Sequence, residues 1–347
     1  MDNISKIDQN FAVPAKVDSE GTAWFDPMQP PFSVHGLIYE AGAFRRMPEA
    51  VAKAVSEGVH YLHANCSGGR LRFRTDSPYI TIRAKMGKVS PFAHMPMTGS
   101  AGFDLYMDRR HVSVFVPPAN MTDGYESRLA IPESGMHTVT IYFPLYADVY
   151  ELEVGLAEGS RLEAAEAYPN EKPIVFYGSS ITQGGVASRA GMCYTNRLCQ
   201  RLNRDIWNLG FSGSAKGEPA MAEYIAGLPM ECFVYDYDHN ARTVEDLERT
   251  HEPMFQTVRQ THPEIPIILM SCPRFVLDDY VGPRIPVIRR TYENAKAAGD
   301  RNVYLLTGQE LMADAQYDGV VDGIHPNDFG FCSMARVAGD LLEKLLK

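Results

Sequence analysis

The hydrophobic pattern of the first half of the chain has the period of β-strands. Up to about residue 155, short runs alternate polar and apolar residues and are bounded by Gly, Pro, Asp or Asn. Runs of this kind occupy residues 71–74, 79–84, 103–107, 112–116, 138–143 and 149–154. Many short strands without helices between them are typical of a β-sandwich, so we predict an all-β, jelly-roll-like sandwich here.

The pattern changes from residue 174 onward, where apolar runs alternate with helical segments. Strands are predicted at residues 174–177, 205–209, 232–237, 265–270 and 303–306. Each is followed by a helical segment, and a final amphipathic helix extends to Leu346. This alternation predicts an α/β fold of three layers, in which helices cover both faces of a parallel sheet.

The length of 347 residues exceeds what one hydrophobic core usually organises, which indicates two domains. We place a polar arm at residues 1–20, the β-sandwich at 21–165 and the α/β domain at 170–347. One helix is expected in the first half, at residues 48–57. Pro48 suits a first helical turn, and Gly58 is a common signal for a helix end.

The charge of the chain limits its partners. A formal net charge of −10 argues against nucleic acid and against an anionic membrane, because phosphate groups attract clustered Lys and Arg. A neutral small molecule or an oligosaccharide fits this charge better. The chain starts without a basic segment followed by an apolar one, so we expect a cytoplasmic protein; a leader removed before this start is the alternative.

The remaining composition adds two expectations. The six cysteines are scattered without metal-binding spacing, which favours reduced, buried thiols. The apolar face of the last helix, with Leu341, Leu342 and Leu345, belongs either to the core or to the interface of a homo-oligomer. No run of apolar residues is long enough to span a bilayer.

Reactive side chains follow the predicted strand ends. Ser180 comes just after strand 174–177, and Asn240 follows strand 232–237. Asp322 and His325 lie in the loop before the last helix. Because ligands bind outside the carboxyl ends of parallel strands, at the point where strand order reverses, we expect these side chains to meet.

These residue types can form an acyl-transfer site. A hydroxyl nucleophile needs a base, a carboxylate that fixes the tautomer of the base, and donors for the oxyanion. We predict Ser180 as the nucleophile, His325 as the base and Asp322 as the orienting carboxylate. The oxyanion would be held by the backbone amides of Ser180 and Gly213 and by the side chain of Asn240. This chemistry requires no cofactor and no metal.

The same residues resemble the SGNH superfamily of GDSL-type esterases and lipases, whose named residues are Ser, Gly, Asn and His. Four blocks match in order: Gly178-Ser179-Ser180-Ile181-Thr182, residues 208–213, Asp238-His239-Asn240 and residues 322–325. The chain departs from the usual pattern at Ser179, where the family has Asp, and at Ala241, which also replaces an Asp. The resemblance implies an SGNH hydrolase domain.

The first half resembles the N-terminal β-sandwich of one branch of these hydrolases, through the pattern Gly102-Phe103-Asp104-Leu105-Tyr106. Similarity to this two-domain branch implies a carbohydrate esterase that removes acetyl groups from oligosaccharides. Two alternatives stay open. One is a lipase, lysophospholipase or thioesterase of the same superfamily, and the other is a carbohydrate-binding protein that kept the fold and lost the chemistry.

Further residues were considered for binding. Arg189, Arg274 and Tyr280 lie in loops expected to border the pocket, where they would contact substrate or form solvated surface. His239, next to Asn240, contacts substrate or is a buried histidine with its own partners. A pair of histidines, His60 and His63, has a helical spacing that a metal accepts, but a third ligand is not evident, so a structural role is favoured.

Overall fold

The computed structural model describes residues 21–89 and 91–347. The arm predicted at residues 1–20 lies outside the described residues. Strands and helices are numbered below along the chain, in their order within the described part.

Two antiparallel sheets form most of the N-terminal half. The first has the order β1 (Thr22–Phe25), β11 (Val149–Ala157), β6 (Tyr79–Met86), β9 (Gly124–Ala130). The second has the order β12 (Leu162–Glu163), β5 (Arg70–Thr75), β10 (His137–Tyr142), β7 (Phe103–Met107), β8 (Arg110–Phe115), and β2 (Ser33–His35) also pairs with β5. A separate hairpin joins β3 (Ile38–Glu40) to β4 (Ala43–Arg45).

The alternation of the strands explains how the two sheets pack. Phe73, Ile82, Phe103 and Val139 are fully buried in one apolar cluster between the sheets. Their polar neighbours along each strand point to the opposite faces, as the period of two requires. The predicted β-sandwich is therefore confirmed. Strand β9 was not predicted, because its run Gly-Tyr-Glu-Ser-Arg-Leu-Ala has too few apolar residues to stand out.

The C-terminal half contains a five-stranded sheet in which all four pairs of neighbouring strands are parallel. Its order is β14 (Ile206–Gly210), β13 (Ile174–Gly178), β15 (Cys232–Asp236), β16 (Ile267–Met270), β17 (Val303–Leu306). The chain moves to one side of β13 for the second strand and to the other side for the third. The strand order thus reverses at the carboxyl end of β13, which is where such folds bind ligands.

Helices cover both faces of this sheet, as predicted. One face carries α5 (Tyr194–Leu202) and α10 (Asp328–Leu345); the other carries α6 (Pro219–Ala226), α7 (Val244–Thr261) and α8 (Ile285–Ala297). The short helices are α1 (Glu49–Val55), α2 (Glu57–Leu62), α3 (Met97–Ser100), α4 (Ser180–Gln183) and α9 (Gly308–Leu311). In the part of the chain described here, no helix is both long and apolar enough to cross a membrane.

The helix predicted at residues 48–57 is in fact two helices. α1 ends before Ser56, whose hydroxyl accepts the amide of Val59 and so begins α2. Gly58 does not end a helix, because it lies inside α2, where a Cβ would overlap Ser214 Oγ. The glycine is needed for this close approach. Val59 is buried in the apolar cluster of the parallel sheet, so α2 packs on the α/β half although we had assigned its residues to the sandwich domain.

The two halves are joined by buried polar contacts. The guanidinium of Arg46 is fully buried, donates to the carbonyls of Leu62 (2.7 Å) and Gly210, and stacks on Phe211. Arg70 is also fully buried and forms an ion pair with Asp205. All six cysteines are unpaired, and all except Cys332 are buried, in agreement with the expectation of reduced thiols.

Candidate active site

Strand β13 delivers Ser180 to the edge of the parallel sheet. The strand is buried along its whole length and ends in a turn at Ser179, whose Oγ accepts the amide of Ile181 at 3.2 Å. Ser179 is therefore the N-cap of α4, and Ser180 is its first residue. Because the first amides of a helix have no acceptor within it, the Ser180 N–H is directed out of the helix end, where an anion can be bound.

A hydrogen-bonded chain connects Ser180 to the loop before α10. Ser180 Oγ lies 2.9 Å from His325 Nε2, and His325 Nδ1 lies 2.7 Å from Asp322 Oδ2. An ionised carboxylate can only accept, so Nδ1 carries the ring proton and Nε2 is left to accept from the serine hydroxyl. The structure thus brings together the three residues predicted as nucleophile, base and orienting carboxylate.

The local backbone holds Asp322 in its charged form. Its Oδ1 accepts the amides of Ile324 at 3.0 Å and of His325 at 2.8 Å. Partial burial opposes ionisation, but these hydrogen bonds and the His325 ring outweigh it and lower the pKa of Asp322 to about 2. Asp322 is therefore negatively charged throughout the pH range in which a histidine can act as a base.

The loop after β14 carries Gly213, one of the three predicted oxyanion donors, and contacts a second, Asn240. It is fixed at Phe211, whose amide donates to the Gly178 carbonyl at 2.8 Å and whose carbonyl accepts from Asn240 Nδ2 at 3.0 Å. A side-chain amide has two N–H groups, so Asn240 retains one for another acceptor. Gly213 has a φ of +66°, a left-handed conformation that favours glycine.

Gln183, the last residue of α4, supports this loop. Its side chain is fully buried, and its Oε1 accepts the amide of Ser212 at 2.9 Å. Its Nε2 donates to Asn65 Oδ1 at 3.1 Å and to the carbonyl of Leu145 at 3.3 Å, both in the N-terminal half. One side chain thus connects the nucleophile helix, the oxyanion loop and the sandwich half.

A buried acid lies beneath the Ser180 turn. Asp236, at the end of β15, accepts hydrogen bonds from the hydroxyls of Thr182 and Tyr194. Burial raises the pKa of Asp236 to about 8, so this carboxyl is protonated at neutral pH. A Cβ at Gly178 would overlap the Asp236 carboxyl group, which explains a glycine at the end of β13.

Three of the residues considered for substrate binding form one group beside the site. Tyr280 donates from its hydroxyl to the His239 carbonyl at 2.9 Å and lies edge-on to the His239 ring. Burial, together with the nearby charges of His325 and Arg274, lowers the pKa of His239 to about 4, so the ring is neutral at physiological pH. Arg274 is paired with Asp278 at 2.7 Å. Contact of these side chains with a substrate stays a prediction.

Arg189, in contrast, is engaged elsewhere. Its Nη1 donates to Asp104 Oδ2 at 2.7 Å and to the Tyr106 hydroxyl at 2.6 Å. Asp104 is fully buried and also accepts the amide of Gly191 at 2.8 Å. The guanidinium of Arg189 thus neutralises a buried carboxylate where the two halves meet, and contact of Arg189 with a substrate stays a prediction.

The histidine pair in the first half has separate partners. The rings of His60 and His63 are stacked with centroids 5.3 Å apart. His60 Nε2 lies 3.3 Å from Glu49, and His63 Nε2 accepts from Arg45 at 2.6 Å. These contacts favour the structural role over a metal site.

A different set of possible ligands lies in the active site. The ligating atoms of His94, Asp322 and His325 all lie within 4.8 Å of one another, and among the described residues this is the set that a metal could bridge. A metal there would compete with the hydrogen bond between Asp322 and His325.

The contributions of Gln183, His94 and Tyr146 to the site were not predicted from the sequence. Gln183 follows Ser180 by three residues, about one helical turn, and this spacing was a usable signal in the sequence. The Tyr146 hydroxyl lies 3.4 Å from the Ser180 carbonyl, and the His94 ring lies edge-on to His325 with centroids 5.9 Å apart. Both come from loops of the other half, and nothing in their spacing connects them to Ser180.

Comparisons with known families match both halves. Residues 171–345 match the GDSL-like lipase/acylhydrolase family, and residues 22–162 match the N-terminal domain of SGNH-hydrolase-type esterases, the family with the Gly-x-Asp-Leu-Tyr pattern. No curated protein has a significant sequence match to this chain.

Solved structures share the whole architecture. A protein of Bacteroides ovatus ATCC 8483, described as a GDSL-like lipase, has 26% identity and a TM-score of 0.84, with 94% of this chain and 98% of that chain covered. A salicylyl-acyltransferase from a tetracycline biosynthetic pathway has 21% identity and a TM-score of 0.77 with the same coverage. An acetyl xylan esterase of Butyrivibrio proteoclasticus has 13% identity and a TM-score of 0.62, again over 94% and 98%. The last two show the shared fold.

Proposed function

Because the chain belongs to the GDSL-like lipase/acylhydrolase family, we propose that it is a serine esterase that removes acetyl groups from oligosaccharides. The observation that carries the esterase part is the chain of hydrogen bonds from Ser180 through His325 to Asp322. The acetyl and carbohydrate part rests on the two-domain architecture, which an acetyl xylan esterase shares.

In the first step, Ser180 Oγ attacks the ester carbonyl and His325 Nε2 takes its proton. The negative charge that develops on the carbonyl oxygen is held by the amides of Ser180 and Gly213 and by the free N–H of Asn240. Asp322 stabilises the imidazolium that forms. His325 then gives the proton to the oxygen of the departing alcohol, leaving an acyl group on Ser180.

In the second step, water replaces the alcohol. His325 takes a proton from the water as it attacks the acyl-enzyme, the same donors hold the oxyanion, and the proton returns to Ser180 Oγ as the acid leaves. Both steps use one base in two protonation states.

The direct test measures acetate release from acetylated xylo-, manno- and pectic oligosaccharides by the wild type and by Ser180→Ala. We expect release from at least one of these substrates and none above background with Ser180→Ala, whose unfolding temperature should match the wild type. Hydrolysis of simple esters without release from any of these oligosaccharides would contradict the carbohydrate part. Turnover by Ser180→Ala at near the wild-type rate would contradict the mechanism.

A lipase or thioesterase is the second candidate, because a structural neighbour is described as a GDSL-like lipase. The ratio of kcat/KM for octanoyl and acetyl esters separates the two, since a pocket for long chains should favour octanoyl esters. The third hypothesis, a binding protein without activity, is disfavoured by the intact hydrogen-bonded chain. Labelling of Ser180 by a fluorophosphonate would exclude it.

A further inference from the structure

A cavity of about 400 Å³ lies between the two halves of the protein. We call it the interdomain cavity. Its lining residues from the first half include Tyr61, Asn65, Lys88, Phe92, Tyr146 and Asp148. From the second half, Ser212 and Ser214 complete the wall. The volume is at the small end of the range for ligand sites, roughly 300–1,000 Å³, so it suits a group of the size of one ring better than a long chain.

The cavity adjoins the reacting centre. Its wall residue Tyr146 has its hydroxyl 3.4 Å from the carbonyl of Ser180. Ser212 and Ser214 stand on either side of Gly213, the predicted oxyanion donor. A group bound in the cavity would therefore be close enough to Ser180 to belong to the same molecule as an ester carbonyl held there.

A row of rings gives the side of Ser180 on which the cavity wall lies. The His94 ring contacts His325 with centroids 5.9 Å apart, and Phe92 contacts both His94 (6.3 Å) and Tyr146 (5.3 Å). The wall formed by Phe92 is thus on the His325 side of the nucleophile. Since His325 hands its proton to the oxygen of the leaving alcohol, the alcohol part of the ester belongs on this side.

The lining combines aromatic faces with hydrogen-bonding groups. Phe92 and Tyr61 are 40% and 79% exposed, so both rings are available at the rim. Asn65 Nδ2 donates to Asp148 Oδ1 at 2.8 Å, and the carboxylate retains lone pairs for hydroxyl groups of a ligand. A sugar ring offers apolar C–H faces and polar edges that match this lining. An alkyl chain would cover Asp148 and Asn65 without any hydrogen bonds in return.

We propose that the interdomain cavity binds the sugar ring of the leaving alcohol. The rings of Phe92 and Tyr61 pack against the faces of the sugar, and Asp148 and Asn65 form hydrogen bonds with its hydroxyl groups. This inference rests on the proposed esterase function and adds a location and a chemical class for the alcohol. It also assigns the sandwich half a part in substrate selection, since most of the cavity wall belongs to that half.

The test compares two acetate esters that differ in the alcohol. Ethyl acetate has an alcohol too small to contact the rim, and an acetylated xylo-oligosaccharide fills the cavity. For Phe92→Ala and Tyr61→Ala we expect kcat/KM on the oligosaccharide to fall about tenfold or more, with ethyl acetate within about twofold of the wild type. Tyr39→Ala is the matched control, because Tyr39 is a 44% exposed aromatic of the sandwich half outside the cavity. Equal losses on both esters, or no loss on the oligosaccharide, would overturn the proposal.

A binding measurement separates this inference from the proposed function. In Ser180→Ala, the acetylated oligosaccharide can bind without being hydrolysed, and calorimetry gives its Kd. Adding Phe92→Ala to this variant should weaken binding about tenfold. If the wild type hydrolyses no sugar ester but the double variant binds the oligosaccharide more weakly than Ser180→Ala, the proposed function is wrong and the cavity assignment stands. An unchanged Kd would overturn the assignment whatever the activity.

Discussion

Gln183 Oε1 accepts the backbone amide of Ser212 at 2.9 Å, which fixes the oxyanion loop to the helix that carries the nucleophile. Gln183→Leu would leave this amide unpaired and free the loop, so kcat should fall about tenfold or more with a smaller change in KM. Steady-state kinetics on a small acetate ester gives both constants.

A matched control for Gln183 is Ser67→Ala. Ser67 Oγ donates to the backbone carbonyl of Gln183 at 2.6 Å, so this variant also breaks a hydrogen bond between the halves at the same residue, without releasing Ser212. We expect its kcat to stay within about twofold of the wild type. A loss of kcat as large as that of Gln183→Leu would mean that the hydrogen bond between Gln183 and Ser212 has only a structural role.

Asp322→Asn should lower kcat about 10³- to 10⁴-fold, because an amide can donate to His325 Nδ1 and so stabilises the wrong tautomer. Asp318→Asn, in the same loop but outside the hydrogen-bonded chain, is the control and should be nearly neutral. If both variants keep full activity on an aryl acetate, Asp322 does not orient the base.

The lowered pKa of Asp322, about 2, also affects how kcat/KM depends on pH. A carboxyl with a lowered pKa keeps its charge until the pH falls towards that value, so Asp322 loses it only far below neutrality. The acid limb of kcat/KM above about pH 4 should therefore contain no ionisation of Asp322. An ionisation above about pH 4 that Asp322→Asn removes would contradict the assignment.

Asn240→Ala should lower kcat about 10²- to 10³-fold through loss of an oxyanion donor. Asn240→Asp retains the shape of the side chain and loses both N–H groups, so its kcat should fall at least as far as that of Asn240→Ala. Pre-steady-state measurement of acyl-enzyme formation on an aryl ester locates the effect in the chemical step. Activity within about twofold of the wild type in both variants would exclude Asn240 from the site.

Asp236→Asn should stabilise the protein at alkaline pH. The pKa of Asp236 is raised to about 8 from an ordinary value near 4, so the folded state holds a proton that the unfolded state releases. The resulting stability is complete below about pH 4 and is lost as the pH rises to about 8. Asparagine mimics the protonated acid and does not ionise. The unfolding temperature of this variant should depend less on pH between about 5 and 9, and an unchanged dependence would show that Asp236 is not the group responsible.

Chelating agents should leave esterase activity unchanged, because the proposed proton transfers between Ser180, His325 and the alcohol or water need no metal. Dialysis against a chelator, followed by kinetics on an aryl acetate, tests this expectation. Loss of activity that returns on addition of one divalent metal would direct attention back to the histidines His60, His63 and His94.

The parts of the fold that could be predicted from sequence are those whose signal is local. The apolar run of β13 and the small residues at Ser179 and Ser180 are contiguous, so their strand-to-helix turn can be recognised without knowing what packs on them. The alternating polar and apolar runs of the sandwich strands can likewise be recognised from contiguous residues. Gly58 shows the limit of local signals, because its role comes from Ser214, far away in sequence, and not from the end of a helix.

The same limit applies to the site. Ser180 and Asn240 follow strand ends, and the rule for parallel sheets was enough to place them together. His325 lies in the loop before the last helix, where its spacing from Asp322 is a local signal. His94 and Tyr146 come from loops of the sandwich, whose approach depends on how the two halves are docked. The pairing of Arg189 with Asp104 could not be predicted for the same reason, since Asp104 is in the other half.

The buried pair of Asp104 and Arg189 has a consequence for recombination between related proteins. Asp104 has no exposed surface; its own half supplies His111, whose Nε2 lies 3.1 Å from Asp104 Oδ1, and the other half supplies the guanidinium of Arg189. A sandwich half transplanted onto a partner without an arginine at this place would bury a carboxylate that has lost its guanidinium partner, which commonly costs several kcal/mol. Halves exchanged between related proteins must therefore keep both members of this ion pair. The Gly-x-Asp-Leu-Tyr pattern supplies the carboxylate, and the other half must supply the arginine.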